Sequence, residues 1–253
     1  MRIGFIGLLL LACTIVHSPN VTADSSIFEL RTYTTFDGKL DDLHARFRDH
    51  TMALFEKHGM QNVAYWTPTE KPDTLVYLIA HQNEDAIKSG WQAFGSDPAW
   101  QKVYADSIAN GRLVANIDKQ FLTATEYSPA QKPEDVTGTG SPRLYELRTY
   151  TTNPGKLTGL HARFRDHTVE LFERHGIESV VYTTPFGEGA PADTLVYLIS
   201  HANAEAAKAS WQAFINDPDW GKVYTDSRND GPLVKQGGIV NLFLEPTDYS
   251  PLQ

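Results

Sequence analysis

Cysteine is nearly absent from this chain of 253 residues, and its single copy, Cys13, lies close to the start. A disulfide needs two cysteines, and thiolate metal centres usually need several. The chain therefore has no internal disulfide, and the part beyond residue 13 has no thiolate metal centre. A thiol nucleophile is also excluded from everything beyond residue 13.

Positive charge is scarce as well, because 22 Lys and Arg residues stand against 31 Asp and Glu residues, for a formal net charge of −9. Nucleic acids and anionic membranes are bound by clustered cations, and no basic stripe occurs here. No glycine-rich phosphate-binding motif is found. His44 and His50 are six residues apart, whereas two metal ligands on one helix face are three or four apart. The sequence predicts no nucleic-acid partner and no metal site.

Only one long apolar run is found, the 14 residues Ile3–Val16. It follows Arg2 and precedes a stretch of small residues ending at Ala23, which is the pattern of a secretory signal peptide cleaved near Ala23. The run is shorter than the roughly 20 residues of a transmembrane helix. We therefore expect a secreted or periplasmic protein with no membrane span. A membrane anchor and a lipoprotein attached through Cys13 remain as alternatives.

The rest of the chain contains the same unit twice. ELRTYTT occurs at Glu29–Thr35 and again at Glu146–Thr152, and LHARFRDHT occurs at Leu43–Thr51 and again at Leu160–Thr168. Both separations are 117 residues, far longer than the roughly 20 to 50 residues of a solenoid repeat. The sequence thus divides into a signal peptide (1–23), a first repeat (27–127), an extended linker rich in proline and glycine (128–142) and a second repeat (143–250).

Each repeat shows the pattern of six successive elements. Alternating and apolar runs predict strands, helical spacing predicts a long helix, and Asn83 and Asp97-Pro98 are typical helix starts. In the first repeat these are strands over Ile27–Thr35, Gln61–Thr67, Thr74–His81 and Ile117–Thr125, a helix over Lys39–His58, and a broken second helix over Asn83–Phe94 and Asp97–Ser107. The order β-α-β-β-α-β is the ferredoxin-like arrangement of an α+β protein.

Such a sheet carries its helices on one face and leaves the other face uncovered. Two repeats can cover this face by packing sheet against sheet. We therefore expect a pseudo-dimeric α+β barrel within one chain. The alternative is that each repeat pairs with a repeat of a second chain, and further oligomerisation is compatible with either arrangement.

Two histidines of the long helix are the leading candidates for ligand contact or general base chemistry. At about 100° per residue, His50 and its counterpart His167 lie close to the apolar stripe that includes Phe47 and Leu54, so the imidazole is expected to face the sheet. The alternative is a core histidine hydrogen-bonded to a neighbour. His81 and His201, at strand ends, are expected at the surface.

A row of large polar side chains shares one face of the first strand of each repeat. These candidate ligand-binding residues are Glu29, Arg31 and Tyr33, with the counterparts Glu146, Arg148 and Tyr150. If this face pointed into the barrel, the arginine could hold an anionic group and the tyrosine could share a hydrogen bond. Alternatively, the glutamate and the arginine pair with each other and brace the sheet.

Several separated motifs then resemble one known family. Their order along the chain resembles the NIPSNAP family across nearly the whole chain after residue 23. The motifs are ELRTYT, GKL, LHARFRDH, HG, DTLVYLI, WQAF, DPAW and KVY. The resemblance implies a ferredoxin-like domain of the dimeric α/β barrel superfamily. In eukaryotic members it also implies association with mitochondria and with other proteins. It supplies no catalytic residue set.

We therefore expect a protein that binds a small molecule or a protein partner, without an expected cofactor. The alternative is an enzyme of the barrel class with a pocket histidine, of the cofactor-independent monooxygenase, haem-degrading or isomerase type, in which haem would be the cofactor. This alternative rests on fold-level analogy. A third reading, a purely structural assembly unit, predicts no pocket.

Overall fold

The computed structural model describes residues 26–137 and 142–253, so the predicted signal peptide and its cleavage site lie outside the described residues. The first repeat consists of β1 (Ile27–Thr35), α1 (Leu40–Arg46), α2 (Met52–Lys57), β2 (Gln61–Pro68), β3 (Thr74–His81), α3 (Glu84–Ser96), α4 (Pro98–Ser107) and β4 (Val114–Ala124). Asn83 and Asp97 cap α3 and α4 through side-chain oxygens that accept backbone N–H bonds. The predicted order of elements is confirmed.

The second repeat contains the same elements in the same order. They are β5 (Leu144–Thr152), α5 (Leu157–Arg163), α6 (Val169–Arg174), β6 (Glu178–Phe186), β7 (Thr194–His201), α7 (Ala204–Asn216), α8 (Pro218–Asp226) and β8 (Val234–Pro246). Within the described ranges, no helix is long and apolar enough to cross a membrane.

All eight strands form one closed antiparallel barrel, in the order β1-β3-β2-β8-β5-β7-β6-β4. The two four-stranded sheets join where β2 pairs with β8 and where β4 pairs with β6. Closure removes the open sheet edges at these joints. The prediction of two repeats packed as an intramolecular dimeric α/β barrel is therefore confirmed.

Strand alternation divides the core into three layers. Phe28 and Leu78 point into the barrel, where they pack with Tyr145 and Val181 of the other repeat. Tyr33 and Tyr77 and their neighbours face the helices instead, and the second repeat has an equivalent helix-facing cluster. The barrel interior is filled apart from a void of about 20 Å³. The barrel interior therefore has no room for a ligand.

The predicted long helix is interrupted by a π-helical turn. This turn spans Phe47–Thr51 in the first repeat and Phe164–Thr168 in the second, and its sequence, FRDHT, is the same in both. Four buried residues of the helical segment, Leu43, Phe47, Thr51 and Phe55, are spaced by four. A regular α-helix would rotate such a row away from the sheet, and the wider i→i+5 turn compensates for that rotation.

The end of each repeat packs on the other repeat. Tyr249 shares a hydrogen bond of 2.7 Å with His44 Nδ1, and Tyr127 shares one of 2.8 Å with His161 Nδ1. The adjacent Ser128 accepts a bond from a backbone N–H of the second repeat and is buried. The first part of the predicted extended linker is thus packed rather than free, and the exchange of tails ties the two repeats together.

Candidate functional site

Each repeat contains one pocket between the helix-facing side of its sheet and the covering helices. The first pocket has a volume of about 400 Å³ and the second of about 300 Å³, which is within the range of small-molecule sites. Equivalent residues line both pockets: Tyr33, Arg46, Phe47, Thr51, Phe55, Trp91, Phe94, Trp100 and Tyr104 in the first, and Tyr150, Arg163, Phe164, Thr168, Phe172, Trp211, Phe214, Trp220 and Tyr224 in the second. Both walls are mainly aromatic and contain an arginine.

The π-helical turn begins directly after this arginine and is hydrogen-bonded to its backbone. Arg46 is the last residue before the turn, and its carbonyl oxygen accepts a 3.0 Å hydrogen bond from the Thr51 hydroxyl. Arg163 and Thr168 repeat the arrangement at 3.1 Å. The hydroxyl satisfies a buried carbonyl group inside the irregular turn, so the turn is fixed by a side chain.

Arg46 is buried to an exposed fraction of only 6 %. Its guanidinium carbon lies 5.5 Å from the ring centroid of Trp100 and 5.8 Å from that of Tyr104, and one terminal nitrogen donates a 3.3 Å bond to Ser107. Its Nε has no hydrogen-bond partner. Burial lowers the pKa of Arg46, but a guanidinium stays protonated.

Arg163 occupies the equivalent place, with the same exposed fraction of 6 %. Its guanidinium carbon lies 5.3 Å from Trp220 and 5.9 Å from Tyr224, and its Nε is also without a partner. Across the residues that the structure describes, neither Arg46 nor Arg163 forms an ion pair with a carboxylate, and neither pocket is lined by Asp, Glu or His. A buried cation without a counter-charge favours an anion supplied from outside.

The predicted row on the first strand lies on the helix side of the sheet, not inside the barrel. Glu29 is fully buried and accepts three hydrogen bonds of 2.7 Å, from Arg31, His81 and Trp91. The Arg31 guanidinium also stacks on Trp91, at 4.4 Å from its ring centroid. Glu29 and Arg31 therefore pair with each other, and only Tyr33 of the row lines the pocket.

The second repeat has the same network with one further connection. Glu146 accepts bonds from Arg148, His201 and Trp211. Arg148 also donates to the hydroxyls of Tyr150 and Tyr197, at 3.0 and 2.9 Å. In the first repeat, the Tyr77 hydroxyl, equivalent to that of Tyr197, has no partner.

The structure corrects two predictions about histidines. His50 and His167 are exposed, so neither imidazole faces the sheet, because both residues belong to the π-helical turn that shifts the helix register. His50 lies in an open surface groove beside Asp49 and Lys102. His81 and His201, expected at the surface, are fully buried against the glutamates of the neighbouring strands.

The residues that sequence reasoning missed are Arg46 and Arg163. Arg46 follows Leu43 by three residues within the regular α1, so helical spacing places it beside the apolar row, but a charged side chain at such a position is ordinarily assigned to solvent. The signal available in the sequence was the row of apolar residues and a threonine spaced by four, Leu43, Phe47, Thr51 and Phe55, which recurs in the second repeat.

An eight-stranded closed barrel with paired helices outside each sheet defines a dimeric α/β-barrel protein, here with both halves in one chain. Solved structures of the same fold include an anthrone oxidase-like protein (TM-score 0.58, 10 % identity, covering 91 % of this chain and 95 % of that one). They also include a proposed monooxygenase from Fusobacterium nucleatum (TM-score 0.57, 10 % identity, covering 88 % and 93 %). At these identities the likeness concerns the fold alone.

The chain belongs to the NIPSNAP family. The NIPSNAP family model matches residues 28–129 and again residues 145–251, so both repeats are members. A relative, the NipSnap homolog protein of Dictyostelium discoideum, is 23 % identical over 202 residues, which is 79 % of this chain and 81 % of that protein. The family resemblance predicted from the sequence motifs is confirmed.

The pocket chemistry does not fit a haem ligated by His50, because that imidazole lies outside the pocket. Within residues 26–137 and 142–253, no three His, Cys, Asp or Glu side chains are grouped as a metal site. What the pockets can do is enclose an apolar body between aromatic rings and place a cation against an acidic group.

Proposed function

We propose that this protein is exported and binds small molecules in two pockets, one in each repeat, each taking an apolar, ring-sized body with an acidic group. The observation that carries the proposal is the pair of buried arginines, Arg46 and Arg163, in aromatic pockets without a neighbouring carboxylate among the described residues. Export is supported by the N-terminal pattern of Arg2, the run Ile3–Val16 and the small residues before Asp24.

The chain as a whole is acidic, with a formal net charge of −9. An anionic ligand therefore gains nothing from the overall field and depends on local cations. Because Arg46 and Arg163 lie in surroundings of low dielectric, their interaction with an anion is screened less than at the surface. Binding of the acidic group would also provide the counter-charge that each guanidinium lacks.

Catalysis by His50 gains no support, since its imidazole is exposed and outside the pocket. The names monooxygenase and anthrone oxidase-like belong to structural neighbours that share only the fold with this chain, and a fold alone does not transfer a function. Binding is therefore the function that the geometry favours.

Isothermal titration calorimetry with a matched pair of probes tests the proposal. Naphthalene-1-sulfonate carries an anionic group on an apolar body, and 1-naphthalenemethanol is its neutral counterpart. We expect the sulfonate to bind with two sites per chain and the alcohol to bind much more weakly. The double variant R46M/R163M keeps most of the packing volume and should weaken sulfonate binding by about 30-fold or more, equivalent to about 2 kcal/mol. Equal binding of the two probes, or unchanged binding by the double variant, would contradict the proposal.

Native mass spectrometry of residues 24–253, compared with the denatured mass, tests for a natural ligand. A monomer that carries a non-covalent small molecule, lost in R46M/R163M, is the expected result. A bare dimer or larger assembly would instead point to a protein partner.

A further inference from the structure

The two pockets differ at their mouths, although their inner walls match. Ile108 of the first repeat is replaced by Arg228 in the second, Ala115 by Lys235, and Arg112 by Pro232. Arg112 is exposed at the mouth of the first pocket, and its guanidinium carbon lies 5.9 Å from the centroid of the Phe36 ring. The mouth of the second pocket thus contains two cations, and that of the first contains one.

The second repeat has two extra residues within β8, directly after Lys235 at the pocket mouth. Tyr33 pairs with Ile117 and Tyr150 with Ile239, so two more residues separate Val234 from Ile239 than separate Val114 from Ile117. Two glycines make this irregular part of β8 feasible. Gly237 has a φ of +70°, and a Cβ at Gly238 would lie 2.5 Å from the carbonyl oxygen of Thr151.

Arg228 lies close to the buried Arg163. Their guanidinium carbons are 4.6 and 5.9 Å from the centroid of the same ring, Tyr224. In the first repeat, the equivalent ring of Tyr104 is approached by Arg46 and has Ile108 nearby. Burial lowers the pKa of Arg163, and the positive charge of Arg228 lowers it further, so the two charges interact.

Two neighbouring cations repel each other unless a negative charge lies between them. Among the described residues, neither Arg163 nor Arg228 pairs with a carboxylate. No acidic side chain of the described residues lines this pocket. The repulsion is relieved most by a ligand that presents more than one negative charge.

We propose that the second pocket selects a dianionic ligand, such as a phosphate monoester on an apolar body, whereas the first pocket does not distinguish a dianion from a monoanion. Arg163 would contact the acidic group from inside the pocket, and Arg228 would contact it from the mouth. This inference rests on the proposed function, because it assigns ligand charge to pockets already proposed to bind acidic molecules. It makes Arg228 the residue that distinguishes the two sites.

Two probes of the same shape and different charge test the inference. Naphthalene-1-sulfonate carries one negative charge, and 1-naphthyl phosphate carries about two at pH 7.5, since the second pKa of a phosphate monoester is about 6. Titration of R46M reports on the second pocket, and titration of R163M reports on the first. We expect the phosphate to bind the second pocket about fivefold more tightly than the sulfonate, and the first pocket with about equal affinity.

Exchanging the residues between repeats provides the matched controls. R228I gives the second pocket the residue of the first and should remove its preference for the phosphate, whereas I108R should create a preference in the first pocket. Two-site fits of the wild type and of R228I, without R46M or R163M, provide a second, independent measurement of the phosphate-to-sulfonate affinity ratio of each pocket. Equal phosphate-to-sulfonate ratios in both pockets, or a ratio that R228I leaves unchanged, would overturn the inference while the proposed function stands. Failure of both probes to bind the wild-type protein would overturn both.

Discussion

Replacing Glu29 with glutamine is expected to destabilise the first repeat severely. The carboxylate is fully buried, and three donors within 2.7 Å converge on it, from Arg31, His81 and Trp91. A glutamine would turn an NH₂ group toward at least one of these donors and would leave Arg31, whose side chain is 11 % exposed, without its counter-charge. Removing one partner of a buried ion pair costs about 3–5 kcal/mol.

Urea denaturation followed by circular dichroism at pH 7 measures this loss. E146Q removes the equivalent carboxylate of the second repeat and should cost about the same. D106N, which removes an exposed pair with Lys102, should cost about 0–1 kcal/mol. If E29Q lost less than about 1 kcal/mol, the network would contribute no more than an exposed ion pair, and the reasoning would be refuted.

The same carboxylate should also affect acid stability. Burial by itself raises the pKa of Glu29, but the hydrogen bond from His81, the charge of Arg31 and the hydrogen bond from Trp91 together outweigh it, so the pKa is lowered from its usual 4.5. A lowered pKa in the folded state means that the stabilisation is complete above about pH 4.5 and is lost as the pH falls below it. E29Q should therefore lose less stability on acidification than the wild-type protein.

Three further predictions concern the exchanged tails and the π-helical turn. Y249F and Y127F each remove a hydrogen bond to a partly buried histidine and should each lower the free energy of unfolding by about 1 kcal/mol, measured in urea; no change in either variant would contradict a role for the tails. Burial lowers the pKa of His44 and His161, so stability should fall as the pH drops below about 6.5, and H44Q/H161Q should flatten the stability profile between pH 5 and 7. T51V removes the hydrogen bond to the Arg46 carbonyl and should lower the free energy of unfolding by about 1–2 kcal/mol. The control S89A, on the exposed face of α3, should change it by almost nothing. Equal losses in the two variants would count against a turn fixed by the Thr51 hydroxyl.

The strands were predictable because their signals are local. β1 and β3 begin and end where alternation and apolar runs predicted, and Asp97-Pro98 marks the start of α4. The barrel was expected from the sequence, since a duplicated unit with one uncovered sheet face can bury that face against its copy. Pairing with a second chain stayed open until the structure showed closure within one chain.

The histidines and arginines show where local reasoning fails. His50 was assigned to the sheet side by regular helical periodicity, but it lies in the π-helical turn and is exposed, whereas Arg46, just before the turn, is buried. His81 ends an apolar strand, and its burial depends on Glu29 in a neighbouring strand, 52 residues away. Pairs at this separation leave no periodic signal in the chain.

The sequence by itself thus determined the duplication, the order of elements and the family, because each depends on repeated motifs or on hydrophobic patterning. That the two repeats pair within one chain was an expectation that the structure decided. Only the tertiary structure decided which polar side chains are buried, and therefore where the pockets and their cations lie. The physical reason is that a buried charge is set by partners brought from distant strands and helices and by an irregular turn, and neither is encoded in the spacing of residues along one element.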